Sequence, residues 1–395
     1  MTGRSPSPVA VARRLSASYH LYKLGALTPA KCRHSALTRT LKSLVAHGDG
    51  PLATKTVGHS LEGREINLLI CGTGRTHILL WSQMHGDEPT ATLALLDVCA
   101  FLARRAAVEE WVAHMLQEVT LLLLPMLNPD GAERGRRETA VSIDLNRDAR
   151  VLMTPEARIL KAIHDQYTPA FGFNLHDQEL SSVGISREIT AMALLAPPAD
   201  GHGSMPPGRM RAVRVAALIA EVLERLAGGR IARYDDSFES RAFGDTMQRR
   251  GTSTILIESG HWPGDEEKVF IRKLNYVSLL TSCYGISTGW YKKVMPVYYH
   301  RLPVNGKSVY DIVVRNVRLV HPGGWDRRVD VGLLAEPRLN RTGGRRVVTL
   351  KGVGDLRTCA RLETVSAGNH RVPHRHIAIG AARPLVEMLR LLGAR

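Results

Sequence analysis

The stretch HILLWSQMHGDEPTATLALLDVCAFLARR, residues 77–105, decides the fold class. It opens on an apolar run from His77 to Met84, of the length and texture of a strand buried on both faces. HGDEP follows. From Thr90 to Arg105 the apolar residues Leu93, Leu96, Val98 and Leu102 then recur at helical spacing, with Pro89 where a first helical turn tolerates it. A buried strand passing through a tight polar turn into a helix is the unit from which α/β sheets are built.

The same texture continues downstream. Val119–Met126 reads as another buried strand, and Asn128-Pro129-Asp130-Gly131 as a turn. Pro155–His164 suits a helix, Phe171–Leu175 a strand, and Met210–Leu226 a helix ended by Gly228-Gly229. Thr252–Ile257 is a strand and Glu267–Tyr284 a last helix. Beyond Tyr298 the pattern alternates like strands, and Gly and Arg become more frequent. The expected division is a basic, helical lead-in over residues 1–50, an α/β catalytic domain over 51–297 and a small β-rich appendage over 298–395.

Composition narrows the class. With 395 residues and 44% apolar content, the chain can bury a sizeable core. The formal charge is +16, but arginine is spread along the chain and aromatics are only 5%, so a specific nucleic-acid binder is not expected. Cys32, Cys71, Cys99, Cys283 and Cys359 are scattered and without CxxC spacing, which argues against a disulfide framework and against a cysteine zinc site. No apolar run is long enough for a transmembrane segment. The basic start lacks the apolar stretch of a secretory signal and reads as a ragged or extended N-terminus. A cytoplasmic location is expected.

His85 and Glu88 form an H-x-x-E on the turn between strand and helix. A catalytic zinc needs neutral imidazole and carboxylate ligands and keeps one position open. Two ligands three residues apart on such a turn can converge on one ion, at the strand ends where open α/β sheets place their sites. His176, closing Phe173-Asn174-Leu175-His176, stands at another strand end and is the candidate third ligand. Asp177 beside it could orient a neighbouring ring. His164, His202, His374 and His376 compete poorly, by their helical, loop or appendage settings, and His261 follows the candidate Glu258 too closely. Glu258 ends the apolar strand before Ser259-Gly260, where a buried carboxylate is costly unless it is functional. Beside a zinc-bound water it would serve as general base. Arg136-Arg137 and Asp144-Leu145-Asn146-Arg147-Asp148 complete the set, since arginines near a metal can stabilise an oxyanion or grip a carboxylate.

With these residues in place the chain resembles the M14 family of zinc carboxypeptidases, from about Gly58 to Tyr284. Gly58–Ile66 (GHSLEGREI) resembles the family's lead-in strand motif. His85, Glu88 and His176 match its zinc ligands, and Glu258 its catalytic glutamate. Arg137, two residues before Thr139, resembles the oxyanion arginine, with Arg136 as the alternative. Asn146 and Arg147 match the pair that grips the substrate's terminal carboxylate. Tyr234 is a candidate for the capping tyrosine. The resemblance implies a mixed eight-stranded sheet sandwiched by helices, one Zn2+ per chain and hydrolysis of a C-terminal amide bond in a peptide with a free carboxylate. Glu258 would take a proton from the zinc-bound water and return it to the leaving amine, while zinc and Arg137 hold the oxyanion. The interval between Glu88 and His176 is shorter than in digestive members. The second expectation is therefore a zinc deacylase or amidohydrolase acting on acylated amino acids or cell-wall peptides. A metal-retaining but inactive binding protein is a third, against which Glu258 argues.

Overall fold

A computed structural model describes residues 6–46, 52–105, 109–335 and 346–394. The chain forms two compact units. The first comprises the chain to Gln178, with Ala191–Gly260 and Glu267–Val304. The second comprises Asn305–Arg395 with the segments Glu179–Thr190 and His261–Glu266.

The first unit is built on eight strands: β1 (Leu52–His59), β2 (Glu65–Cys71), β3 (Thr76–Ser82), β4 (Val119–Leu124), β5 (Phe171–Asp177), β6 (Met192–Leu195), β7 (Ile231–Arg233) and β8 (Ser253–Ser259). Their order across the sheet is β1-β2-β4-β3-β5-β8-β6-β7. The central β4, β3, β5 and β8 are mutually parallel, while β2 meets β4 and β6 meets β8 antiparallel. The mixed eight-stranded sheet expected from the sequence is thus present. Every residue of β4 is buried, because parallel strands are covered on both faces. On one face Leu79, Trp81, Leu122 and Leu124 join Ala157, Leu160 and Ile163 of the helix Pro155–Tyr167.

Helix α2 (Thr90–Arg105) follows β3, as its periodicity predicts. Helix α3 (Pro155–Tyr167) precedes β5 and is capped by Thr154, whose side chain accepts the Ala157 N–H at 3.2 Å. From Ser7 onward the start of the chain is helical, in keeping with the expected helical lead-in, and is not a ragged segment. Ser7 caps a helix, α1 (Pro8–Ser18), which buries Val11 and Leu15. The net positive charge hid this amphipathic pattern.

The second unit has its own core. Strands β9 (Val309–Val320), β10 (Asp326–Ala335), β11 (Val347–Gly354), β12 (Ala360–Ser366) and β14 (Ala382–Pro384) follow the order β12-β9-β10-β11-β14, and β13 (Arg371–Pro373) also pairs with β9. Ile312, Val314, Val331, Leu333 and Leu350 pack with Met388 and Leu392 of the closing helix Leu385–Leu392. Among the described residues, no helix is long and apolar enough to cross a membrane.

Candidate metal centre and active site

The site forms where the parallel strands end, because their carboxyl ends bring chain-distant turns together. After β3, Gln83 adopts a left-handed φ of 50° and turns the chain into His85-Gly86-Asp87-Glu88. Gly86 is required here. A Cβ at this position would stand 2.0 Å from the Gly131 carbonyl carbon and 2.2 Å from the Ala132 nitrogen. The segment it packs against, read from sequence as a plain turn, is a short helix over Pro129–Arg134 capped by Asn128. The Asn128 Nδ2 donates to the Met84 carbonyl at 3.1 Å and the Arg137 carbonyl at 3.4 Å, and the Gly86 N–H donates to Arg137 at 3.3 Å. Asn128 therefore stitches the His85 turn to the Arg137 segment. Asp130, fully buried, accepts from Ser60 Oγ at 2.7 Å, the Glu62 N–H at 3.0 Å and Arg64 Nη1 at 2.6 Å, which docks the GHSLEGREI segment on the same loop.

His85, Glu88 and His176 converge, all three buried. His85 Nδ1 and His176 Nδ1 each lie 2.8 Å from a Glu88 oxygen and 3.2 Å from one another. Ligands about 2.0–2.2 Å from a tetrahedral zinc stand roughly 3.3 Å apart, so these three donors fit the ion. The tautomer also fits. His85 Nε2 lies 3.0 Å from Asp144 Oδ1, which places the ring proton on Nε2 and leaves the Nδ1 lone pair toward Glu88. Asp144, fifty-nine residues from His85 in sequence, was not singled out for this role. Its carboxyl is held low by His85 and Arg137 against the opposing effect of burial. Asp177, named as a possible ring-orienting carboxylate, serves elsewhere. It accepts from Thr90 Oγ1 at 2.5 Å and from Lys268 Nζ at 3.2 Å.

Glu258 sits on β8 at the register position beside His176 on β5, so both side chains leave the sheet on the same face. Burial raises its pKa well above the usual carboxylate range, with the neighbouring charges of Glu88 and Asp177 adding to the shift. Arg137 lies 3.2 Å from Glu88 Oε1 through Nη1 and 3.1 Å from Asp144 through Nη2. Arg136 is exposed and has no such contact, so the geometry separates the two arginines. The side chain of Asn146 accepts the Phe243 N–H at 3.0 Å through Oδ1, which leaves Nδ2 as its outward donor. Arg147 is anchored by Nη1 to the Asn146 carbonyl at 2.8 Å, with the Glu239 carboxylate 3.7 Å from its Nε. Tyr234 follows β7, where its N–H donates to the Leu194 carbonyl at 2.9 Å. The charge of Glu258, with burial, pushes its hydroxyl up to about 12, which sets the ring within the electrostatic reach of the site.

Replacing Asp144 with Asn is expected to weaken zinc binding about 10- to 100-fold, because the amide no longer holds the ring in this tautomer. Competition with a chromophoric chelator measures it, and an unchanged affinity would remove Asp144 from this role.

The zinc carboxypeptidase family signature matches residues 37–176. Probable carboxypeptidase 2 of Arthroderma benhamiae is 32% identical over 100 residues, covering 25% of this chain and 18% of that protein. Carboxypeptidase D of Anas platyrhynchos is 45% identical over 64 residues, covering 16% of this chain and 5% of that protein. The chain thus spans less than a fifth of the length of these two curated relatives. The crystal structure of carboxypeptidase A from Helicoverpa armigera superposes with a TM-score of 0.50 at 15% identity, over 70% of this chain and 80% of that one, a likeness of fold.

Proposed function

Because residues 37–176 match the zinc carboxypeptidase family, we propose that the chain is a zinc-dependent metallocarboxypeptidase. Its substrates would be peptides with a free C-terminal carboxylate. The observation that carries this reading is the donor triangle of His85, Glu88 and His176 with Glu258 one strand away. One zinc per chain would be held by that triangle and would supply Lewis acidity for hydrolysis of the amide bond.

The chain's own groups do the rest. Glu258, one strand from the donor triangle at the register position beside His176, accepts the proton of the attacking water and returns it to the departing amine. Arg137 is 40% exposed toward solvent while pinned by Glu88 and Asp144, so its charge is fixed in place where negative charge develops on the carbonyl oxygen. Arg147 and the free Nδ2 of Asn146 present donors to the terminal carboxylate, which would compete with Glu239 for the guanidinium. Tyr234, whose hydroxyl the charge of Glu258 pushes up, is the candidate to cap the bound residue.

Two peptides identical except for a free or amidated C-terminus test this, with the zinc-loaded protein and products followed by mass spectrometry. Stepwise loss from the free acid alone, abolished by a chelator and by Arg147→Ala, is expected. Cleavage of neither peptide, with turnover of acylated amino acids instead, would replace this reading by the deacylase one.

A further inference from the structure

The charge of the chain is uneven. Residues 305–395 carry 17 Lys and Arg against 7 Asp and Glu, so +10 of the formal +16 falls in the last quarter of the sequence. Within the second unit the fold lines part of that charge up. Arg318 on β9 is the direct register partner of Arg328 on β10 and of Arg371 on β13. Directly paired residues share a face of the sheet. The chain neighbours Leu319 and Val372 are buried, so this row of three arginines stands on the outward face.

Like charges facing one another across strands destabilise a sheet. Among the described residues only Asp326 answers the row, with its oxygens 2.7 and 2.8 Å from Arg318 Nε and one of them 3.5 Å from Arg371 Nη2. Arg328 is exposed and has no hydrogen-bond or ion-pair partner among the described residues. A row of three arginines answered by one carboxylate makes sense as a surface awaiting an anion.

Next to the row lies a platform of rings. The turn between β9 and β10, His321-Pro322-Gly323-Gly324-Trp325, is closed by the His321 N–H on the Trp325 carbonyl at 3.0 Å. Trp325 stacks on His321 with centroids 5.1 Å apart and planes 7° apart. His374, which follows β13, meets the two rings edge-on at 5.8 and 5.4 Å. The indole is held flat and ordered while remaining 37% exposed.

We propose that this face binds single-stranded nucleic acid without sequence preference, the arginines taking backbone phosphates and the Trp325 platform stacking a base. Strands about 4.8 Å apart spread the three arginines over roughly 10 Å, a track along one backbone. A ring folded onto two histidines is a stacking surface, whereas a membrane anchor would project from the turn. An acidic protein would need the arginines but not the ordered rings. Sequence-tolerant binding requires no base-edge contacts, so it accords with the absence of a recognition motif in the sequence. The proposal is independent of the peptidase reading.

The test is fluorescence anisotropy of labelled oligo(dT) and oligo(U), each about twenty nucleotides long, with the full chain over about 50–200 mM salt. Saturable, salt-sensitive binding is expected. Arg328→Gln, a residue without partners whose replacement leaves the fold alone, is expected to reduce the log–log salt slope by about 0.7, and the triple R318Q/R328Q/R371Q variant by about 2. Trp325→Ala is expected to weaken binding about 5- to 100-fold. Unchanged thermal unfolding midpoints show that each variant is folded. The proposal is overturned by absence of saturable binding, by equal affinity for inorganic polyphosphate with Trp325→Ala silent, or by binding confined to phosphatidylserine vesicles.

Discussion

Replacing Glu258 with Gln is expected to lower kcat on a free-acid peptide by about 10^2- to 10^4-fold while the protein keeps its zinc. The amide has the shape of the carboxylate but cannot accept a proton. It also removes a carboxyl whose ionised form is disfavoured by burial and by the neighbouring charges of Glu88 and Asp177. Folding is therefore expected to hold or improve slightly in the variant. The ligand triangle does not include Glu258, so metal content measured on the purified protein should match the parent. Near-normal kcat would show that the base is another group, and loss of zinc would show that Glu258 belongs to the metal's surroundings rather than to the chemistry.

The second large effect is on stability. Asp97→Ala is expected to cost about 3–5 kcal/mol in urea denaturation, as removing one partner of a buried ion pair does. Asp97 and Arg272 are both almost fully buried. Arg272 donates through Nε to Asp97 Oδ2 at 2.6 Å and through Nη2 to Oδ1, and its Nη1 reaches the Leu27 carbonyl at 2.9 Å. Asp97 also accepts from Tyr19 Oη at 2.8 Å and the Leu24 N–H at 2.9 Å. The pair thus ties residues 19–27 to two helices, Thr90–Arg105 and Val269–Ser287. In the alanine variant the guanidinium stays buried without its counter-charge. Replacing both partners, Asp97→Leu with Arg272→Met, should recover most of the loss, since two apolar groups need no compensation. Tyr19→Phe should cost only about 1 kcal/mol, because it removes one hydrogen bond of several. A loss below about 1 kcal/mol in Asp97→Ala would mean that the lead-in is held by its apolar contacts alone.

The particular residues show what could be read and what could not. The helix after HGDEP matches its apolar period, and the strands before His176 and Glu258 match their apolar runs, because those signals are local and repeat over a few residues. At the start of the chain the helical lead-in is legible but its packing face is not. Its charge dominated the composition, while Val11 and Leu15, one helical turn apart, carried the packing. Asp144 and Asn128 escaped notice in their supporting roles, as their partners lie far away in sequence or are backbone carbonyls.

The sequence by itself determined the mixed α/β class, the candidate ligands and base, and the β-rich texture after Tyr298, since strand ends and residue chemistry are local properties. Only the tertiary structure decided the rest. It brought the donors of His85, Glu88 and His176 to within about 3 Å of one another, assigned the ring-holding carboxylate to Asp144 instead of Asp177, and set Arg137 rather than Arg136 against Glu88. It also aligned Arg318, Arg328 and Arg371 across three strands. Each of these depends on strand register and turn docking, in which a shift of one residue turns a side chain to the opposite face.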